Sequence, residues 1–205
     1  MAILVKADPG QWKELIESCS PEYLIRIMHI EEIAQYPEAI AFLNLEEDGL
    51  LPLYNSLTIP ILINEVTIPL QEMQAPSNVF RMNGWPGFLK RKSWELAGAY
   101  HEAVGKAFAQ LDKKMIPVSD EPGLVSARIL SMIINEAYFT YGDGVSSMAD
   151  IDTAMKLGTN YPFGPFEWAA AIGTEKIVAL LTKLTETDNR YQPSPALLKT
   201  LMSHS

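Results

Sequence analysis

Residues 39–66 read AIAFLNLEEDGLLPLYNSLTIPILINEV. Ala39–Leu45 and Ile59–Val66 are near-continuous apolar runs, and Leu50–Ser56 between them reads as a short helix or turn. Unbroken apolar runs, unlike alternating ones, mark strands buried on both faces, and such strands belong to parallel sheets. Working outward, Ala2–Ala7, Tyr23–Ile30, Asn78–Asn83 and Met115–Asp120 read as further strands. Gln11–Ser18 and Glu31–Tyr36 have helical spacing. The pattern predicts a doubly wound α/β layer. Its units recur every ~15–20 residues against ~30 for a full strand–helix–strand unit, so some helices must be minimal.

Further along, Leu96, Tyr100, Val104, Ala107, Phe108 and Leu111 fall on one stripe, which predicts a helix over Trp94–Leu111. Beyond Pro122-Gly123 the chain reads as helical throughout. Leu124–Tyr141 is a long apolar helix ended by Gly142–Gly144; Ser147–Leu157 follows, with Ser147 as N-cap. Phe166–Leu184 is broken at Gly173, and Ser194–Met202 opens with Pro195. The expected division is an α/β domain over residues 1–120 and a helical domain over residues 121–205.

The chain has 205 residues, 48% of them hydrophobic and 20% charged, which suits a packed core and not disorder. No run approaches the ~18–20 apolar residues of a membrane span, and Met1–Ala7 lacks the basic start of a secretory signal. A net charge of −9 argues against nucleic acid and anionic membrane surfaces as partners. Lys90, Arg91 and Lys92 read as a solvated charged face. The single cysteine, Cys19, forbids an intrachain disulfide and fits a reducing, cytoplasmic setting. Three scattered histidines, His29, His101 and His204, with no paired-cysteine motif, predict no metal site.

One stretch carries a specific text. Pro122–Leu181 reads PGLVSARILSMIINEAYFTYGDGVSSMADIDTAMKLGTNYPFGPFEWAAAIGTEKIVALL. It resembles the C-terminal domain of the 3-hydroxyacyl-CoA dehydrogenases. The resemblance rests on Pro122-Gly123, Arg128, Asn135-Glu136-Ala137, Gly144-Val145, Asp150-Ile151-Asp152, Ala154-Met155, Gly158, Pro162, Gly164-Pro165-Phe166 and Gly173, all in one register. More weakly, Ile40–Asp48, Ile61–Met73, Asn78–Gly98 and Lys106–Gly123 resemble later segments of the family's Rossmann-like domain. The fold so implied is a truncated Rossmann-like parallel sheet followed by an all-helical dehydrogenase C-terminal-like domain. In the family that helical domain forms the dimer and closes over the acyl chain, so the resemblance implies a homodimer through residues 122–184 and an acyl-CoA-like ligand.

Against the family's pattern the chemistry is thinned. The family places a G-x-G-x-x-G loop after its first strand to let a pyrophosphate reach a helix N-terminus. Here Lys6-Ala7-Asp8-Pro9-Gly10-Gln11 stands there, and only thirty-nine residues precede Ile40 where the family has well over 100. No cofactor-binding residue is therefore expected, and no cofactor; NAD is the cofactor if the family's activity is kept. The family's catalytic histidine falls on Asn83, and its orienting glutamate on Glu95. Its substrate-binding serine falls near Thr67, and its asparagine on Ala127, just before Arg128. From the residues alone Glu95 is either a site group or a solvated helix glutamate, Thr67 either a site hydroxyl or a strand residue. Asn83-Gly84-Trp85 is either a remnant pocket or a core-packing turn.

Three functional readings follow. One is a dehydrogenase-like protein without NAD-dependent activity that keeps the dimer scaffold. Another is an active NAD-dependent 3-hydroxyacyl-CoA or 3-hydroxybutyryl-CoA dehydrogenase of fatty-acid metabolism. The third is a regulatory or structural subunit completed by another polypeptide. Loss of a titratable base and of the loop favours the first or third.

Overall fold

The structure, a computed structural model, describes residues 2–99 and 102–203. The chain divides into two compact units, Met1–Leu124 and Val125–Ser205.

The first unit is built on a seven-stranded sheet: β1 (Ile3–Lys6), β2 (Leu24–Arg26), β3 (Ala41–Asn44), β4 (Ile61–Asn64), β5 (Val79–Met82), β6 (Ser93–Ala97) and β7 (Lys114–Pro117). The spatial order is β2-β1-β3-β4-β5-β6-β7, parallel throughout except where β5 and β6 run antiparallel. Every residue of β3, β4 and β5 is buried, which is why their sequences read as near-continuous apolar runs, each with a single polar residue. Side chains alternate between two cores. Ile3, Val5, Leu43, Leu62, Phe80 and Met82 face α1 (Pro9–Ser18) and α3 (Glu102–Gln110), packing with Leu15, Val104 and Phe108. Leu4, Phe42, Ile61, Ile63 and Val79 face the other way, among Ile33 and Tyr54. On that second face the crossovers shrink to 3-10 turns at Ile30–Gln35 and Pro52–Ser56 and a single-turn helix, α2 (Leu70–Met73). The short units of the sequence are thus real, with full helices kept on one face only.

Two expectations over this unit need correction. Of the helix predicted over Trp94–Leu111 the described part is Glu102–Gln110, and its front is not helical: Ser93–Ala97 is strand β6. Trp94 and Leu96 are buried while Ser93 and Glu95 are half-buried, a period of two too short to stand out beside the helical stripe that follows. Gly98, at φ +142 and with Phe80 Cδ1 only 2.5 Å from where a Cβ would stand, ends the strand. Tyr100 and His101, like His204, lie outside the described residues. The strand expected over Tyr23–Ile30 is also shorter: it stops at Arg26, and His29 already precedes a 3-10 turn.

The second unit holds α4 (Ser126–Gly142), α5 (Met148–Thr159), α6 (Pro165–Ile172), α7 (Thr174–Thr185) and α8 (Pro195–Ser203). Pro122 does not start α4; Gly123 and Leu124 take positive φ values of 82° and 48° in a turn before it. Ser147 caps α5 by accepting from Asp150 N. Asp152, 8% exposed, reaches out of α5 and accepts from Phe166 N at 2.8 Å and Glu167 N at 3.2 Å, so its carboxylate caps α6. Asn135 in α4 ties down the approach to α8, donating to Gln192 O and accepting from Ser194 N. Among the described residues no helix is long and apolar enough to cross a membrane.

Candidate functional site

In an open parallel sheet, ligands enter beyond the carboxyl ends of the strands where the strand order reverses. Here β1 has β2 on one side and β3 on the other, so the reversal lies between β1 and β3. The groups at that edge are Lys6 and Asn44, paired in register, and the Asp8–Gln11 turn that starts α1.

Each of these is engaged within the chain. Lys6 bonds Glu46 and, at 2.8 Å, Asp48. Its burial works against the charged form, but Asp48 and Glu46 together hold its pKa above the ordinary value. Asn44 donates to Asp48 at 2.5 Å and to the Tyr54 hydroxyl at 2.6 Å. Burial pushes the pKa of that hydroxyl up to about 12, Asn44 pulling the other way. Asp8 caps α1: Gln11 N donates to its Oδ1 at 2.8 Å. Gln11 answers by accepting from Asp8 N through Oε1 and donating through Nε2 to Leu45 O at 2.9 Å and Gly84 O at 3.2 Å. Asn64, at the end of β4, donates to Leu45 O and Glu47 and accepts from Gly84 N at 2.8 Å.

The NAD that the family resemblance implies does not fit these residues. Its pyrophosphate needs free amides at the start of α1 and a glycine surface to lie against. The Asp8 carboxylate already takes the Gln11 amide, a Cβ on Gly10 would stand 3.2 Å from Asp8 Oδ1, and Glu46, Glu47 and Asp48 rim the same edge. Among the described residues no cluster of His, Cys, Asp or Glu could hold a metal ion.

The four residues that the resemblance sets at the family's polar positions are placed as follows. Asn83 follows β5 and is 5% exposed; its Oδ1 accepts from Trp85 N at 3.0 Å. Arg81 pairs with Ala97 and Met82 with Leu96, so the same register carried one residue further sets Asn83 opposite Glu95. Opposed residues of an antiparallel pair share a face, and Glu95 is a half-buried strand residue, not a helix residue. Thr67 lies three residues beyond β4, half-buried, its N–H donated to Glu65 Oε1 at 2.7 Å. The turn that holds it is fastened from β5: Arg81, fully buried, donates to Glu65 O at 2.9 Å and pairs with Asp120 at 2.6 Å. Ala127 belongs to the other unit, wholly buried in α4, with a methyl group that neither donates nor accepts. The register thus sets Asn83 opposite Glu95, and Thr67 follows β4 at the same end of the sheet.

Sequence reasoning missed Gln11, Asn44, Asn64 and Arg81. A signal was available for three of them: each is a lone polar residue at or near the end of an apolar strand, AFLN, ILIN and VFRM. Such a residue is buried with partners or not at all.

Comparison with known proteins matches residues 123–205 to the 3-hydroxyacyl-CoA dehydrogenase C-terminal domain. The 3-hydroxyadipyl-CoA dehydrogenase of Escherichia coli K12 is 43% identical over 90 residues, 43% of this chain and 19% of that protein. A 3-hydroxybutyryl-CoA dehydrogenase of Bradyrhizobium diazoefficiens is 39% identical over 103 residues, 49% of this chain and 35% of that protein. The matched region therefore spans between about a fifth and a third of the length of these relatives. Among solved structures, the (S)-3-hydroxybutyryl-CoA dehydrogenase of Ralstonia eutropha superposes with a TM-score of 0.75 over 99% of this chain and 94% of its own, at 18% identity. A 3-hydroxybutyryl-CoA dehydrogenase of Escherichia coli K12 gives 0.58 over 69% of this chain and 31% of its own, at 30% identity. The first of these likenesses speaks for the fold alone: a Rossmann-like sheet followed by a helical domain. The family-model match and the motif Asp150–Phe166 support one conclusion, that residues 123–205 form a domain of the 3-hydroxyacyl-CoA dehydrogenase C-terminal type.

Proposed function

We propose that this protein is a 3-hydroxyacyl-CoA dehydrogenase-like protein that has lost NAD-linked oxidation and keeps the helical unit as a pairing scaffold. One observation carries the reading. Where the resemblance to the family asks for a base, the chain has Asn83, 5% exposed, with its carbonyl oxygen accepting from Trp85 N. Oxidation of a hydroxyl needs a group that takes its proton as hydride departs. A carboxamide does not titrate and cannot be that group. The residue that the register sets opposite Glu95 is this carboxamide, not an imidazole.

The pairing half of the reading is supported by surface. Val125, Ile129, Val145 and Leu157 are 47%, 54%, 71% and 83% exposed. Val145, with Ile133, Ala137, Ile151 and Met155, lines an open groove of about 410 Å³ between α4 and α5. A set of apolar groups this large on one small unit marks an interface, and a second copy of the chain covers it, as in an obligate dimer burying more than ~2,000 Å².

The test is direct. Purified protein is assayed for reduction of NAD by 3-hydroxybutyryl-CoA, and its mass is measured by light scattering. No turnover and a dimer mass are expected. NAD-dependent turnover that Glu95→Gln abolishes would overturn the first half, and a monomer at tens of micromolar the second.

A further inference from the structure

The carboxyl edge of the sheet does more than lack a glycine loop. Two side chains close it, those of Gln11 and Asn64, and each carboxamide has both its nitrogen and its oxygen engaged within the chain. The Gln11 carboxamide makes three bonds: both Nε2 hydrogens go to carbonyls, Leu45 O and Gly84 O, and Oε1 takes the Asp8 amide. Asn64 supplies a second donor to Leu45 O and accepts the Gly84 amide. Leu45 N in turn donates to Lys6 O at 2.8 Å. Leu45 O thus receives two donors, and Gly84 has both backbone groups engaged. Gly84 is a glycine because of this closure: a Cβ there would stand 2.8 Å from Asn64 Cγ. The bonds join positions 34 and 73 residues from Gln11 and 20 residues from Gly84, drawing together the segments after β1, β3, β4 and β5.

We propose that this crevice is a closed structural seam, in which the chain's own Asp8 carboxylate and Gln11 carboxamide stand where a dinucleotide's pyrophosphate would lie. Nucleotide diphosphates are excluded by occupation and by charge, whatever residue stands at position 83. The inference is independent of the missing base. A protein without a base could still bind NAD, and a protein with a closed seam could not. Opening the seam for a ligand breaks three bonds of Gln11 at once and brings a pyrophosphate against Asp8, Glu46, Glu47 and Asp48, where the nearby Lys6 is already paired. The seam does for the first unit what a bound cofactor does elsewhere: it ties four strand ends to the start of α1.

Gln11 gives a test with a sign. It is the N3 residue of a capping box, a position where glutamate is favoured both by the box and by the helix dipole. If Gln11 were only a capping residue, Gln11→Glu would raise the melting temperature. In a seam the same change replaces the Nε2 donor by a carboxylate oxygen facing two carbonyls, and the melting temperature falls. Thermal denaturation of the full chain is expected to show Gln11→Ala lowered by about 2–8 °C and Gln11→Glu lowered further. Calorimetric titration of the unmodified protein with NAD, NADH and ADP at millimolar concentration is expected to show no saturable heat. Saturable binding of any of the three, or a Gln11→Glu protein as stable as the parent or more so, overturns the seam. Absence of turnover in the dehydrogenase assay follows from either cause, so the titration and the Gln11→Glu melt are what test the seam, and saturable NAD binding without turnover would overturn the seam while leaving the missing base in place.

Discussion

Exchanging Gly164 for alanine separates space from backbone conformation at the motif that defines the helical unit. Gly164 has φ −75°, a value any residue adopts, so an alanine there carries no backbone strain. Its Cβ, however, would stand 2.3 Å from Asp152 Oδ1 and 2.4 Å from Asp152 Cβ. The second distance matters more, because a Cβ cannot swing aside as a side-chain tip can. Either the α5–α6 spacing opens or Asp152 gives up its bonds to Phe166 N and Glu167 N. Hydrogen bonds to a charged group are worth ~1.5–3 kcal/mol each, and a carboxylate at a helix N-terminus another ~0.3–1. With partial relaxation the expected cost is about 3–5 kcal/mol, a large part of the ~5–15 of a typical domain. Gly158, in α5 of the same motif, is the control. Nothing lies within 4 Å of its Cβ position, so Gly158→Ala should stabilise by about 0.5–1 kcal/mol. Asp152→Asn, which keeps the shape but not the charge, should lie between, at about 1–2 kcal/mol lost. Urea denaturation followed by far-ultraviolet circular dichroism measures all three. Gly164→Ala unfolding at the parent's midpoint, or both glycine replacements shifting the midpoint the same way, would refute the steric account.

Asn135→Ala leaves the buried Ser194 N–H without its acceptor and should cost about 2–3 kcal/mol in the same assay; a loss under half that figure would deny Asn135 its anchoring role. Glu167 has its pKa lowered, by Lys156 first and the Gly164 amide second. Its contribution is therefore present above the ordinary value of 4.5 and disappears as pH falls through the lower folded value. In an NMR titration Lys156→Met should move the Glu167 midpoint back up towards 4.5, and an unmoved midpoint counts against the pair. Tyr54 keeps its proton until about pH 12 in the folded chain against 10.0 when unfolded, so stability should fall as pH rises across that window. An ultraviolet difference titration in which Tyr54→Phe removes no late-titrating phenol contradicts this.

How much of this was legible in the sequence depends on how far each interaction reaches. Strands β1, β3, β4 and β5 were readable because burial on both faces leaves an apolar run that needs no partner to be seen. The break at Gly173 and the Ser147 cap were readable because a cap acts within one turn. Strand β6 was not: Ser93–Ala97 alternates for only five residues, and the helical stripe of α3 begins just beyond it. Nor was the antiparallel pairing that sets Asn83 opposite Glu95, which depends on register and not on spacing. The resemblance matched Asn83, Glu95 and Thr67 to the family's polar positions, but the contacts that close the neighbouring edge link residues far apart in the chain, and no local pattern in Asp8–Gln11 announces that Gln11 will bond Gly84.

The shrunken crossovers also bear on how quickly the sheet assembles. Parallel pairing is ordinarily slow, because a long connection must be ordered before the strands reward it. Here Phe42 pairs with Ile61 and Ile61 with Val79, so successive partners are fewer than twenty residues apart. Loop closure grows only as the logarithm of length, but the larger saving is in what need not fold first. Between β3 and β5 the chain must form only a 3-10 turn and a single helical turn, neither of which has to nucleate as a helix of several turns does. The middle of the sheet can therefore condense as a run of near neighbours, a kinetic shortcut that a full complement of crossover helices would remove.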